Sequence, residues 1–326
     1  MATIKDVAKL AGVAVSTASY ALNNSNKVSD HTRIKVLNAA KELNYQKNGI
    51  AADLKMAKTN TIALILGDLS GPYYSELIQG VQNGCSANNY GLIACSAIGG
   101  SQSTAVKFLR EKRVDGAIIL AQNISDDVIL EAARDGFPLV VLDREMKHTN
   151  IQSVLVDNVH GGYLATEYLI NQGHKEIIFV SGPNNSLDNQ LRFEGYLKAL
   201  KEYQINFQPV WKVPGNFTRE SGYKATKTIL AQNNLPDSIF YANDEMAIGG
   251  LQAFNENGIK VPGDVSIIGY DDIEISEYVN PPLTTIKQPK YETGSLAIQL
   301  IFQLLRGEKI NHLYKLNTEL VVRSSV

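Results

Sequence analysis

Cysteine is nearly absent: Cys85 and Cys95 are the only two in 326 residues. Two thiols make no disulfide framework, and no metal motif surrounds them, so a reducing, cytoplasmic setting is expected. Histidine is sparse as well. His31, His148, His160, His174 and His312 are scattered without ligand spacing, and neither a metal nor another cofactor is expected. No apolar run is long enough to span a bilayer, and the N-terminus lacks the apolar core of an export signal, so no membrane partner is expected. The chain also has no G-x-S-x-G, no G-x-x-x-x-G-K-[ST], no H-E-x-x-H, and no G-x-G-x-x-G at a strand end. Without an activated nucleophile, a phosphate loop, a zinc helix or a dinucleotide fingerprint, the expectation is that this is not an enzyme.

What is present is a globular composition, 44% hydrophobic and 20% charged, with length for about two domains of core beyond a small N-terminal unit. The net charge of −2 hides an asymmetry. Residues 1–60 hold nine Lys and Arg against four Asp and Glu, and the remainder holds 22 against 29. A basic head on an acidic body is the pattern expected when only the head meets phosphate.

The head explains that charge. Within TIKDVAKLAGVAVSTASYALN (3–23), Thr3 and Asp6 form a T-x-x-D helix start, in which the hydroxyl is expected to cap backbone N–H groups. Ile4, Val7, Ala8 and Ala11 recur at helical spacing, Gly12 permits a tight turn, and a second short helix is expected over Val15 to Leu22, burying Ala18, Ala21 and Leu22. Ser29 caps a third helix to about Asn44, whose apolar positions are Ile34, Val36, Leu37, Ala40 and Leu43. Two short helices joined at a glycine are the layout of a helix-turn-helix, whose second helix enters the major groove of DNA.

These residues resemble the signature T-I-x-D-V-A-x-x-A-G-V-S-x-x-T-V-S-x-x-L-N of the lactose/galactose repressor family of bacterial transcriptional regulators, and the likeness runs from Thr3 to about Ser324. Three positions depart from it. Ala14 stands where Ser is usual, which removes a cap worth roughly 1 kcal/mol. Ala18 replaces a usual Val, and Tyr20 a usual Arg, the side chain suited to bidentate guanine contact. The resemblance implies that Val15, Ser16, Thr17 and Tyr20 face DNA, with Asn23, Lys27, Ser29, Thr32 and Tyr45 as further contacts. Residues 48–54, NGIAADL, resemble the family's hinge. There the resemblance implies a short helix formed on DNA, with Asn48, Ile50 and Ala51 at the minor groove and Leu54 wedged between base steps.

From Thr61 short apolar runs alternate with amphipathic helices: TIALILG, GLIACSA, DGAIILA, PLVVLD and SVLVD, then KEIIFVSG, SIFYAND and VSIIGYDD. Such runs between helices imply parallel strands covered on both faces. The fold class expected is therefore α/β: a small all-α head (1–46), a hinge (47–60), and two doubly wound parallel-sheet subdomains. These span about 61–160 plus 289–318, and 161–288 plus 319–326, resembling periplasmic binding proteins.

In open α/β sheets small molecules bind outside the carboxyl ends of the strands. Asp68, Asp143, Asn243, Asp244, Asp271 and Asp272 stand at such ends, where carboxylates and amides can meet the hydroxyls of a sugar; each also has the simpler use of a helix cap. Arg192 adds a donor fork and Phe217 an apolar face. The resemblance favours effector contact for Asp143, Arg192, Asn243 and Asp271, whose settings VLDR, LRFEG, ANDEMA and GYDD match the family, and packing against the effector for Tyr73 and Phe217. Asp68 is kept as an effector candidate. The expected function is an effector-controlled regulator, a repressor of carbohydrate-use genes, binding a near-palindromic DNA operator as a homodimer; the sequence ends without the heptad tail of tetrameric relatives. A catabolite-type regulator controlled by a partner protein is the alternative. A cytoplasmic sugar-binding or sugar-modifying protein is the reading from another class.

Overall fold

The computed structural model describes residues 2–46, 58–111, 113–133, 136–232 and 235–326. They form two compact units, one up to Thr59 and one from Asn60. The first unit holds α1 (Ile4–Ala11), α2 (Val15–Leu22) and α3 (Asp30–Glu42). Gly12 takes a left-handed φ of +64°, so the Val13 N–H reaches back to the Ala8 carbonyl at 3.0 Å and closes α1. The Ser29 hydroxyl accepts from the Thr32 N–H, as expected of a cap. Thr3 and Asp6 form the expected helix start as a capping box. The Thr3 hydroxyl donates to the Asp6 carboxylate (2.7 Å), which also accepts from the Thr3 N–H (2.8 Å), and these bonds hold the exposed carboxyl below its usual range.

Val7, Ala8, Ala11, Ala18, Ala21, Val36, Ala39 and Ala40 form the buried core of the head. Ile34 and Leu37 do not join it; they are 58% and 47% exposed. A three-helix unit this small covers one stripe of α3, and that stripe runs through Val36, Ala39 and Ala40, one step round the helix from 34 and 37.

The second unit contains two six-stranded sheets. In the first, β1 (Thr61–Leu66), β2 (Gly91–Ser96), β3 (Gly116–Leu120), β4 (Leu139–Leu142), β5 (Ile151–Val156) and β11 (Leu313–Leu316) lie all parallel in the order β11-β5-β4-β3-β1-β2. The run in β1 is apolar throughout because both faces are covered. Ile62, Leu64 and Leu66 meet α4 (Tyr74–Ala87) and α11 (Lys290–Leu305), while Ala63 and Ile65 lie with α5 (Thr104–Arg110) and α6 (Asp126–Ala132). Strand β2 departs from this rule: at the sheet edge it is largely exposed, Ile93 included.

The second sheet holds β6 (Ile177–Ser181), β7 (Lys212–Pro214), β8 (Ser238–Tyr241), β9 (Ser266–Asp271), β10 (Thr285–Lys287) and β12 (Glu319–Val321) in the order β12-β10-β9-β8-β6-β7. Only β12 is antiparallel to its neighbour. Its helices are α7 (Asn158–Asn171), α8 (Leu187–Glu202), α9 (Arg219–Leu230) and α10 (Asp244–Glu256). The chain thus leaves the first sheet at Asp157, returns through α11 to place β11 there, and crosses again to place β12. No helix among the described residues is long and apolar enough to cross a membrane.

Helices α7 and α8 approach so closely that a Cβ on Gly162 would overlap the backbone of Arg192, and one on Gly195 the carbonyl of Val159. That approach brings Asn158 Oδ1 to 2.9 Å from Arg192 Nε. The packing of two helices therefore sets the position of one guanidinium.

Candidate functional site

The carboxyl ends of the parallel strands in both sheets open onto one cavity of about 450 Å³. Asp68 follows β1, Tyr73 precedes α4, Asp143 follows β4, Asn243 follows β8, and Asp271 ends β9. Arg192 lies on α8 and Phe217 before α9. All seven line the cavity. Three of them, Asp143 (φ +55°), Phe217 (+68°) and Asp271 (+113°), have left-handed backbones that L-residues rarely adopt, a strain found where surroundings fix a side chain for use.

Arg192 is the fixed point. Only 5% exposed, it donates from Nε to Asn158 and from Nη1 to the Ala242 carbonyl (2.6 Å), and it lies 3.4 Å from Asp271 Oδ1. Its guanidinium carbon is 3.8 Å from the centre of the Tyr270 ring and 5.6 Å from that of Phe217. Asp271 also accepts from Gln288 Nε2 at 2.6 Å, and Gln288 Oε1 accepts from the Tyr73 hydroxyl at 3.3 Å. Burial raises the Asp271 carboxyl pKa, while Arg192 and Lys290 pull it down. The buried Lys290 ammonium donates to the Asp271 and Asp272 carbonyls and lies 3.2 Å from Glu76. Hydrogen bonds and ion pairs thus run from α4 of the first subdomain to β9 of the second.

Each strand-end polar residue has its own office. Asn243 caps α10, accepting from the Met246 N–H (3.1 Å) and donating to the Phe217 carbonyl (3.0 Å), so it places Phe217 as well as lining the cavity. Asp68 is exposed at the rim and accepts from the Ser70 N–H (2.8 Å), which lowers its pKa. Asp244 and Asp272 are absent from the cavity lining. Asp244 is buried the other way, accepting from the Ile273 N–H, Ser276 and Thr285, and Asp272 pairs with Arg323 at 2.7 Å. Leu120 contributes an apolar patch. Sequence reasoning missed Asp188, Gln122 and Asn123 in the lining, and the bridging pair Gln288 and Lys290. Asp188 sits in the first turn of α8, where an acid reads as a helix-dipole partner.

Gly182 seats the aromatic wall: a Cβ there would overlap the Phe217 ring. Gly182→Ala should displace that ring and cost about 1–3 kcal/mol. The expected reading is a lower denaturant midpoint with an unchanged slope; an unchanged midpoint would mean that the ring moves freely.

In the head, α2 presents Val15 (43% exposed), Ser16 and Tyr20 (41%) to solvent, with Thr17 half-buried beside the core. Ala14 offers no side-chain cap, as expected. Lys27 Nζ lies 5.2 Å from the centre of the Tyr20 ring, so the aromatic side chain and the cation form one surface. Asn23 Nδ2 donates to the Ser19 hydroxyl at 3.4 Å. Ser29 and Thr32 are joined hydroxyl to hydroxyl at the start of α3, and Tyr45 packs against the head core. The expected contacts at Asn48, Ile50, Ala51 and Leu54 lie outside the described residues.

Residues 3–48 match the model of bacterial regulatory proteins of the lacI family, and residues 166–326 match a periplasmic binding protein-like domain. The HTH-type transcriptional repressor PurR of Pasteurella multocida (strain Pm70) is 39% identical, with all of this chain and 99% of that protein covered. Among solved structures, the lac repressor dimer bound to operator and the anti-inducer ONPF is 31% identical with a TM-score of 0.84, covering 99% of this chain and 98% of that one. A LacI family transcriptional regulator from Enterococcus faecium with bound ribose is 32% identical with a TM-score of 0.74, covering 81% and 98%. A helix-turn-helix head, a body with a cleft at the strand ends of two sheets, and similarity along the whole of both leave one conclusion: the chain belongs to the lacI family of bacterial regulatory proteins.

Proposed function

We propose that this regulator is a homodimeric repressor of carbohydrate-use genes, whose affinity for a near-palindromic operator is set by a sugar or sugar derivative in the cleft. The observation that carries the reading is the cavity itself. It combines carboxylates, amides and a fixed guanidinium with the aromatic walls Tyr73 and Phe217, the mixture that a polyhydroxylated ring with one apolar face requires. The relative bound to ribose supports a carbohydrate. The relatives named as repressors, and the lac repressor dimer on its operator, support the direction of control and the dimer. The exposed edge strand β2, with Ile93, and the adjoining Ile98 (65% exposed) offer apolar surface for a second copy.

Calorimetry of the full chain against hexoses, pentoses, disaccharides and a purine base tests the ligand class. The reading expects a sugar to bind wild type and to bind Asp271→Asn much more weakly. A purine bound in preference to every sugar would overturn it.

In the head, Val15 suits a thymine methyl, and Ser16 and Tyr20 suit base edges or phosphate. Because Lys27 rests on Tyr20, Tyr20→Ala should change site preference and weaken all binding. Lys27→Ala should lower affinity evenly and reduce the salt slope by about 1. Equal loss on every DNA sequence for Tyr20→Ala would remove it from base reading.

A further inference from the structure

Five acidic residues line the cleft against one arginine. Three of the five are already engaged. Asp68 accepts from the Ser70 N–H, Glu245 pairs with Arg219 at 2.9 Å, and Asp271 takes Gln288 and Arg192. Asp143 takes a backbone hydrogen bond from Val156 and Asp188 lies in the field of Arg192, but neither carboxyl is fully satisfied. Each has a buried Oδ1 with no hydrogen-bond partner, and both residues line the cavity. They reach it from different subdomains, Asp143 from the end of β4 and Asp188 from the first turn of α8. A buried carboxyl oxygen without a donor leaves its desolvation cost uncompensated, so an occupant that supplies donors here offsets a standing deficit.

We infer that the effector carries a positively charged amine, an amino sugar or similar polyhydroxylated amine, whose ammonium lies between Asp143 and Asp188. The inference rests on the cleft being the effector site and adds the charge of what fills it. An ammonium brings three donors and one positive charge to two carboxyls that resist being charged together. A phosphorylated or carboxylated sugar would set an anion against the same pair without a free cation beside it, since Arg192 is held by Asp271, Asn158 and Ala242. A metal ion is a poorer candidate: among the described residues no group of three or more His, Cys, Asp or Glu is placed to hold one. The titration of the pair points the same way. Burial, and then repulsion from Asp188, push the Asp143 carboxyl up to about 8. Burial alone disfavours charge of either sign; it is the repulsion between the two carboxyls that a neighbouring cation would relieve.

The test is calorimetry of the full chain against D-glucosamine, D-galactosamine and D-mannosamine, each beside its parent hexose, its N-acetyl derivative and its 6-phosphate. One amine at least should bind at least about tenfold more tightly than its uncharged and phosphorylated counterparts. Asp188→Asn and Asp188→Ser should erase that preference without lowering the melting temperature, because burial of this carboxyl outweighs the pull of Arg192 on it. A neutral or phosphorylated sugar that binds as well as its amine overturns the inference and leaves the cleft reading standing. So does an amine preference that survives Asp188→Asn, or binding of no amine. The cleft reading fails by a separate result: Asp271→Asn leaving the affinity of every bound ligand unchanged.

Discussion

Arg192→Ala is expected to abolish the response to effector and to destabilise the body by about 3–5 kcal/mol, the range for removing one partner of a buried ion pair. The size follows from what the guanidinium holds. Its loss leaves Asp271 buried beside a cavity, withdraws donors from Asn158 and the Ala242 carbonyl, and removes the cation from the Tyr270 ring. Denaturant unfolding followed by the body's signal checks the cost. A loss under about 1 kcal/mol, the worth of an exposed pair, would mean that water reaches and solvates this site. DNA binding by the separate head should survive wherever the body still folds.

Val36→Asp should do the reverse. Val36 is fully buried in a core built mostly of alanines, and the head is small enough that its stability is marginal. An unpaired carboxylate there costs several kcal/mol, enough to unfold the head. Specific DNA binding should vanish, while ligand binding and the thermal transition of the body remain. Retained DNA affinity would show that α3 is not the floor on which α1 and α2 rest.

Much of this architecture was legible in the order of residues, for reasons that can be located. Strand β1 and its neighbours are short, apolar and flanked by helical periods, because sheets covered on both faces need that composition. The caps at Ser29 and Gly12 are local chemistry and could be read locally. What escaped was anything fixed by distance along the chain. Periodicity marked Ile34 and Leu37 as apolar positions of α3, but the width of the buried stripe depends on how far α1 and α2 extend over it. Strands β7, β10 and β12 are three residues each, too short for an alternation to show.

The site divides in the same way. Strand ends announced a set of acids, yet Asp271 and Asp272 are neighbours with opposite uses, one facing the cavity and the other paired with Arg323. Asn243 and Asp244 part likewise. Which member of such a pair turns inward depends on backbone angles at the strand end, and residue type does not encode them. Asp188 was hidden by a second plausible use, since an acid in the first turn of a helix needs no ligand to explain it. Lys290 and Gln288 carry no motif; only the fold sets their partners within reach.

On the proposed reading, occupancy of the cleft governs the grip of the head on DNA. A duplex selected from genomic fragments by the full chain, labelled and followed by fluorescence anisotropy, tests it directly. Operator affinity is measured with and without each sugar that calorimetry shows to bind, for wild type and for Asp271→Asn. At least one sugar should shift wild-type affinity by about 5–150-fold, the usual span of allosteric coupling. The variant should bind the duplex equally well and ignore that sugar at the concentration that saturates wild type. A sugar that binds the cleft yet leaves operator affinity unchanged, or a shift that persists undiminished in Asp271→Asn, would contradict it.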